Sequence, residues 1–430
     1  MSMNYKKTTL SSGLRILTVP MAGTATATVM IMVGVGSRFE TEKQAGLSHF
    51  IEHMLFKGTT KRPTAQSISE ELDSVGGEFN AFTSKDKTAY YAKVDSQHLS
   101  KAFEVLADIF LASKFDPVEI QRERGPILQE LSMYEDDPRR SVGEEFEKLL
   151  YGAHQMGRNI VGYSEVIKSV ERKDFIAYLK KFYVANETVI CVAGKFDEKK
   201  IIAQIKQQFA GFGKGSEAKF AKVAEKQKTP AVHLKFKKTD QTHLILGARA
   251  YRQNHKDRWA LSLLSVILGG NMSSRLFIEV RERRGLAYFV STSVDTYQDC
   301  GYLGTQAGVE HKNLAQTVEV ILSEYQKIAT QQVSEKELQK AKDYIKGRAV
   351  MGFEASDDVA MFFIDQEMHK EKIMSPKEVF SKIDAVKSAD ILRVAKDIFK
   401  QEKLNLAVVG PHKNSQKLAE LLKGQGLSKI

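Results

Sequence analysis

The chain has 430 residues, of which 42% are hydrophobic and 27% charged, and a formal net charge of +11. That length exceeds one ordinary core and predicts two to three domains, and the composition is that of a globular chain, not a disordered or fibrous one. The basic excess does not predict nucleic-acid binding: lysines mix with glutamates along helices, as in Glu335-Lys336-Glu337-Leu338-Gln339-Lys340, without the aromatic-basic interleaving of a nucleic-acid module.

No apolar run is long enough to span a bilayer, so no membrane association is expected. Met1-Ser2-Met3-Asn4-Tyr5-Lys6-Lys7 lacks the apolar core of a secretion signal, and a cytoplasmic bacterial protein is the default expectation; a processed organellar one would read the same. Cys191 and Cys300 are far apart in strand-like settings and read as core thiols.

In chain order, residues 8–20, turning at Ser11-Ser12-Gly13-Leu14, and residues 26–35 predict strands. The next stretch is His49-Phe50-Ile51-Glu52-His53, set in a short apolar run flanked by Ala45-Gly46-Leu47-Ser48 and Gly58-Thr59-Thr60. It reads as a buried helix. Residues three and four apart share a helix face, so His49 and His53 offer two imidazoles to one ion with Glu52 beside them. Burying such a triplet without partners is costly, which favours a metal over an incidental cluster. The order H-x-x-E-H inverts the common zinc-protease order and is the inverzincin pattern.

Thr64 then caps a helix over 65–75, stopped by Gly76-Gly77. Residues 78–83 and 88–94 predict a hairpin. An amphipathic helix follows over 96–113, and a second over 116–134, which Pro126 should kink or break. Residues 141–181 read as mostly helical and 187–194 as a strand.

The second half repeats this order: two strands within 231–249, helices at 256–268 and 273–284, a hairpin at 286–294 and 301–308, helices at 311–329, 334–353 and 376–400, a strand at 404–410 and a helix at 413–423. The fold class expected is α+β, with two duplicated domains, each a mostly antiparallel sheet packed with helices. The N-terminal domain spans 1–212 and carries the metal, the Lys-rich stretch 213–229 is a solvated linker, and the C-terminal domain spans 230–430. Where the first half has its motif, the second has Arg258-Trp259-Ala260-Leu261-Ser262-Leu263, so the candidate site belongs to one copy alone.

A catalytic zinc takes three protein ligands and keeps a position open, so His49 and His53 need one more. The helix over 116–134 offers Glu119, Glu123 and Glu130. Glu119 reads as solvent-facing. Glu123 and Glu130 are seven apart and share a face, and spacing alone leaves both open.

Gly46-Leu47-Ser48-His49-Phe50-Ile51-Glu52-His53-Met54-Leu55-Phe56-Lys57-Gly58-Thr59 resembles the active-site signature of the M16, or pitrilysin, metallopeptidases, most closely the bacterial M16B branch similar to mitochondrial processing peptidase beta subunits. The resemblance extends over essentially the whole chain. That family's pattern is H-x-x-E-H, then 76 residues, then Glu; the same count beyond His53 reaches Glu130, and a family Glu seven residues earlier matches Glu123. The resemblance therefore implies a LuxS/metallohydrolase-like fold and one Zn2+ per chain on His49, His53 and Glu130. It also implies Glu52 as general base on a zinc-activated water and Glu123 supporting the ligands. It implies that a peptide adds as a strand along Phe79, Asn80, Ala81, Phe82 and Thr83. Arg281 and Tyr288 resemble the family pair that holds substrate backbone and stabilises the oxyanion. Because this chain carries both half-sites, the expectation is a homodimeric zinc endopeptidase of short or unfolded peptides. The alternatives are the catalytic half of an obligate heterodimer and a non-catalytic scaffold subunit.

Overall fold

The computed structural model describes residues 3–370 and 372–424; Met1, Ser2, Glu371 and residues 425–430, which the expected domains include, lie outside them. It divides into two compact units. Among the described residues, the first comprises 3–131, 159–220 and 349–378 without Glu371, the second 132–158, 221–348 and 379–424.

The first unit is built on a six-stranded sheet. Its strands are β1 (Lys6–Thr9), β2 (Arg15–Pro20), β3 (Thr26–Val33), β4 (Glu78–Thr83), β5 (Thr88–Asp95) and β6 (Thr188–Gly194), in the order β1-β2-β6-β3-β5-β4. Only β2 and β6 run parallel. β3 and β6 read as unbroken apolar runs because they are central and buried along nearly their whole length. β4, with one strand neighbour, is the edge.

The second unit has β7 (Ala231–Phe236), β8 (Thr242–Ala250), β9 (Ala287–Thr296), β10 (Gly301–Val309) and β11 (Leu404–Gly410), in the order β7-β11-β8-β10-β9. Leaving out β1, the two sheets match strand for strand, including one parallel pair, β7 with β11, at the same place. The duplication expected from element order is therefore present in the sheet topology.

The expected domain boundaries need correction. The helix Pro138–Tyr151 buries Val142, Phe146 and Leu150 on β11, β8 and β7 of the second unit. The helix Ser356–Met368 buries Val359, Phe363 and Ile364 on β3, β6 and β2 of the first. Each sequence half thus supplies a helix to the other half's sheet. An apolar helix face shows that it will be covered, not by which sheet, so a division by chain order at 212–230 misses the exchange.

Three local expectations also change. The stretch 213–229 is pinned and not a free linker: Phe220 lies 3.8 Å from the Arg38 guanidinium, and Gly215 N donates to Asn186 Oδ1 at 2.8 Å. In the second unit Val223 N donates to Asp299 Oδ2 at 2.8 Å. The helix Pro117–Asp136 runs unbroken through Pro126. Its predecessor is Gly125, which has no Cβ to meet the proline ring. The helix expected over 273–284 holds a π-helical turn, Phe277–Glu282, with Arg283 N bonded to Ile278 O at 2.9 Å.

Candidate metal centre

The motif helix spans Leu47–Leu55 and is fastened at its N-terminus. Gly46, the residue before it, has φ 97°, and a Cβ there would lie 2.3 Å from Val161 O, so only glycine fits. The buried Glu40 carboxyl accepts from Gly46 N at 2.8 Å and Ser48 N at 2.7 Å, satisfying donors that a helix start leaves open. Burial pushes Glu40 up to about 7 against the hydrogen bonds from Ser48 and Gly46. Ser48 Oγ bonds Tyr178 OH at 2.7 Å, and Phe50 meets the Phe175 ring edge-on. These contacts set the rotation of the helix, and with it the direction in which His49 and His53 point.

Both imidazoles reach Glu130, on the helix Pro117–Asp136. His49 Nε2 and His53 Nε2 each lie 3.5 Å from Glu130 Oε2. One donor atom from each of the three residues falls within a 4.8 Å cluster, the only such group of three or more among the described residues. Glu123, two turns earlier, lies on the other side of the same imidazole, with Oε1 2.9 Å from His53 Nδ1. An ionised carboxylate only accepts, so Nδ1 carries a proton, and once the ring is neutral its Nε2 lone pair is on the side of Glu130. The alternatives that spacing left open are thereby separated: Glu130 faces both Nε2 atoms and Glu123 does not. Glu119 pairs with Arg122.

The electrostatics follow this geometry. Burial, with the neighbouring His53, lowers His49 to about 4, so it is neutral near pH 7. Burial also lowers His53, but its hydrogen bonds to the Glu123 and Glu130 carboxylates outweigh it and raise the ring to about 9. Glu123 is pushed up by burial yet held below its usual value by hydrogen bonds from His53 and Lys57. Lys57 Nζ lies 2.6 Å from its Oε2. Burial raises Glu52, and a 2.6 Å hydrogen bond from Thr83 Oγ1 to Glu52 Oε2 opposes that rise.

The strand expected to receive substrate is β4, at the sheet edge. Phe79 stacks on Phe56 with ring centroids 6.2 Å apart, and Asn80 Oδ1 accepts from Ala81 N at 2.8 Å. Ala81 and Phe82 are half-buried. Thr83, expected as a substrate contact, holds Glu52. In the second unit, the Arg281 guanidinium lies 4.5 Å from the Tyr288 ring centroid and donates to Tyr288 O at 3.1 Å. Tyr288 is 78% exposed. Sequence reasoning did not single out Glu40 or Lys57. Lys57 stands four residues after His53, a spacing that could have flagged it.

Comparison with known proteins gives a consistent result. Residues 15–163 match the family described as Insulinase (Peptidase family M16), and residues 169–345 match the Peptidase M16 inactive domain. An uncharacterized zinc protease of Streptomyces coelicolor is 34% identical over 417 residues, covering 96% of this chain and 90% of the relative. The uncharacterized zinc protease YmxG of Bacillus subtilis is 34% identical over 411 residues, covering 95% and 99%. Among solved structures, a protease from Helicobacter pylori superimposes with a TM-score of 0.89 at 24% identity, covering 95% of this chain and all of the other, which supports the fold alone. Full-length relatives above 30% identity and two matching domains along one chain leave one assignment: this chain belongs to peptidase family M16.

Proposed function

We propose that this chain is a zinc-dependent endopeptidase of short or unfolded peptides, with His49, His53 and Glu130 holding the ion and Glu52 serving as general base. The convergence of two imidazole Nε2 atoms on one carboxylate oxygen carries this reading. Two nitrogens and one oxygen make the donor set of a three-ligand catalytic zinc site, and the names of the relatives agree with that metal. A zinc ion held there would supply Lewis-acid chemistry, acidifying water and polarising the scissile carbonyl.

The chain's own groups do the rest. Glu52 is not one of the three clustered donors, and its carboxyl is fixed by Thr83. Burial holds its pKa above the usual carboxylate value, which makes it a stronger base when ionised and a usable acid at neutral pH. It takes a proton from water as the new C–O bond forms, and returns it to the amine nitrogen as the C–N bond breaks. Glu123 keeps His53 in its Nδ1–H form. The β4 edge offers backbone groups to an extended peptide, which suits varied sequences. Arg281 and Tyr288 hold substrate backbone and the developing oxyanion, contributed by the second copy in a homodimer.

The test is Glu52→Gln. The variant should bind one zinc per chain and lose hydrolysis of a quenched peptide pool, and mixing it with a Tyr288→Phe chain should recover activity above either parent. Near-parental cleavage by Glu52→Gln sinks the mechanism. Failure of the mixture to exceed its parents sinks the shared site.

A further inference from the structure

We propose that Lys57 is a positioning residue of the metal centre, acting through Glu123 to hold the His53 ring with its Nε2 toward Glu130. The proposal rests on the reading that His49, His53 and Glu130 hold the ion.

Lys57 follows the last turn of the motif helix, with its backbone N bonded to Met54 O at 3.1 Å. Its side chain reaches Glu123, the buried carboxyl on the helix Pro117–Asp136, with Nζ to Oε2 at 2.6 Å. The other oxygen of that carboxyl, Oε1, lies 2.9 Å from His53 Nδ1. The side chains of Lys57 and Glu123 are 25% and 8% exposed, so water competes little for either. A carboxylate with one donor on each oxygen has its plane and its charge fixed at once.

The orientation matters because Glu123 Oε1 holds the His53 ring. An ionised carboxylate only accepts, so Nδ1–H donates to it, and Nε2 is turned to the side of Glu130. Without Lys57, Glu123 Oε2 loses its donor, and the carboxylate can rotate about its side-chain bonds and release the ring. Lys57 is the ammonium on Glu123, and it joins the helix that supplies both imidazoles to the helix that supplies both carboxylates. Removing it therefore acts on His53 without touching any metal-binding atom.

The experiment measures zinc affinity by competition with a chromogenic chelator at pH 7.5. It compares the parent, Lys57→Met, Lys57→Gln, Lys57→Arg, Glu123→Gln and the double variant Lys57→Met/Glu123→Gln, with thermal melts of each zinc-free protein to establish folding. Lys57→Met and Lys57→Gln should each weaken zinc binding by roughly 10- to 100-fold, the range for partners of metal ligands. Lys57→Arg should recover most of that loss. The double variant should bind no worse than Glu123→Gln, because both changes remove the same support. If both neutral variants bind zinc within twofold of the parent, or if the losses multiply in the double variant, the proposal is overturned. If Lys57→Met does not fold, Lys57→Gln decides. If the parent itself binds no zinc, the underlying reading fails instead, which separates the two outcomes.

Discussion

The hydroxyl of Thr83 offers a sharp test of Glu52 as the base. Thr83 Oγ1 donates to Glu52 Oε2 at 2.6 Å and stabilises the ionised carboxylate, against burial, which favours the neutral form. Thr83→Val keeps the shape and removes the donor. A hydrogen bond to a charged group contributes about 1.5–3 kcal/mol, and one pKa unit corresponds to about 1.4 kcal/mol, giving an upward shift of about 1–2 units. Glu52 is only partly buried, so about one unit is the expected value. The sign is set: losing a donor to the charged form raises the pKa, and the base becomes ionised only at higher pH. The acid limb of kcat/KM against pH should therefore move up by about one unit. Well below the limb the variant loses about tenfold, and above it little changes. Thr83→Ser should behave as the parent, and zinc content measured in parallel should be equal in all three proteins. A limb that stays within about 0.3 unit of the parent, or moves down, would refute the role of Thr83 and weaken that of Glu52.

Two further outcomes follow from the same geometry. In the zinc-free protein His53 titrates at about 9, and zinc takes the neutral ring, so binding displaces one proton at neutral pH. Apparent affinity should rise about tenfold per pH unit between pH 5.5 and 8, read by chelator competition, and a flat profile would contradict the assignment of His53. At Gly46, alanine would meet both a left-handed backbone, costing about 1–2 kcal/mol, and the Val161 carbonyl, adding about 1–3 kcal/mol. Urea unfolding of Gly46→Ala should show a loss of roughly 2–5 kcal/mol, and a loss below about 1 kcal/mol would show that the loop relaxes freely.

What could be read from the residues was whatever depends on short spacing. The imidazole pair is one helical turn, and the hairpin from Glu78 to Asp95 is bounded by its own turn residues. The order of elements in the two halves is a repeated local pattern, and it carries through to the matched sheets. Glu130 required more: its seven-residue spacing from Glu123 is compatible with either as ligand, and the preference came from the resemblance; the structure adds that Glu130 Oε2 lies 3.5 Å from both Nε2 atoms. The unread parts are non-local. Glu40 reaches the helix start from the preceding loop, and its role depends on where the chain returns. Thr83 points its hydroxyl at Glu52 because β4 lies beside the motif helix, a fact of packing and not of strand pattern. The exchange of the helices Pro138–Tyr151 and Ser356–Met368 is invisible for the same reason.

The duplication also shows what the site costs the fold. In the second unit the helix Arg258–Gly269 follows β8 as the motif helix follows β3, and each packs against its own edge strand, β9 or β4. Arg258–Gly269 buries Leu261, Leu263, Leu264, Ile267 and Leu268, so that copy of the helix is plain core. The motif helix instead places His49 at a buried position and Glu52 and His53 at partly buried ones. An apolar side chain fully buried in such a place contributes about 1.5–3 kcal/mol, and these three positions forgo part of that. Glu123, Lys57, Glu130 and Thr83 offset part of this by pairing every one of these groups except His49 Nδ1, which is buried without a hydrogen bond among the described residues. A bound ion would neutralise the remaining imbalance of three carboxylates against one ammonium, and its binding energy would add to the stability of this unit alone. The unit that bears the chemistry thus places polar groups, and donors for an ion, where the second copy is stabilised by apolar burial.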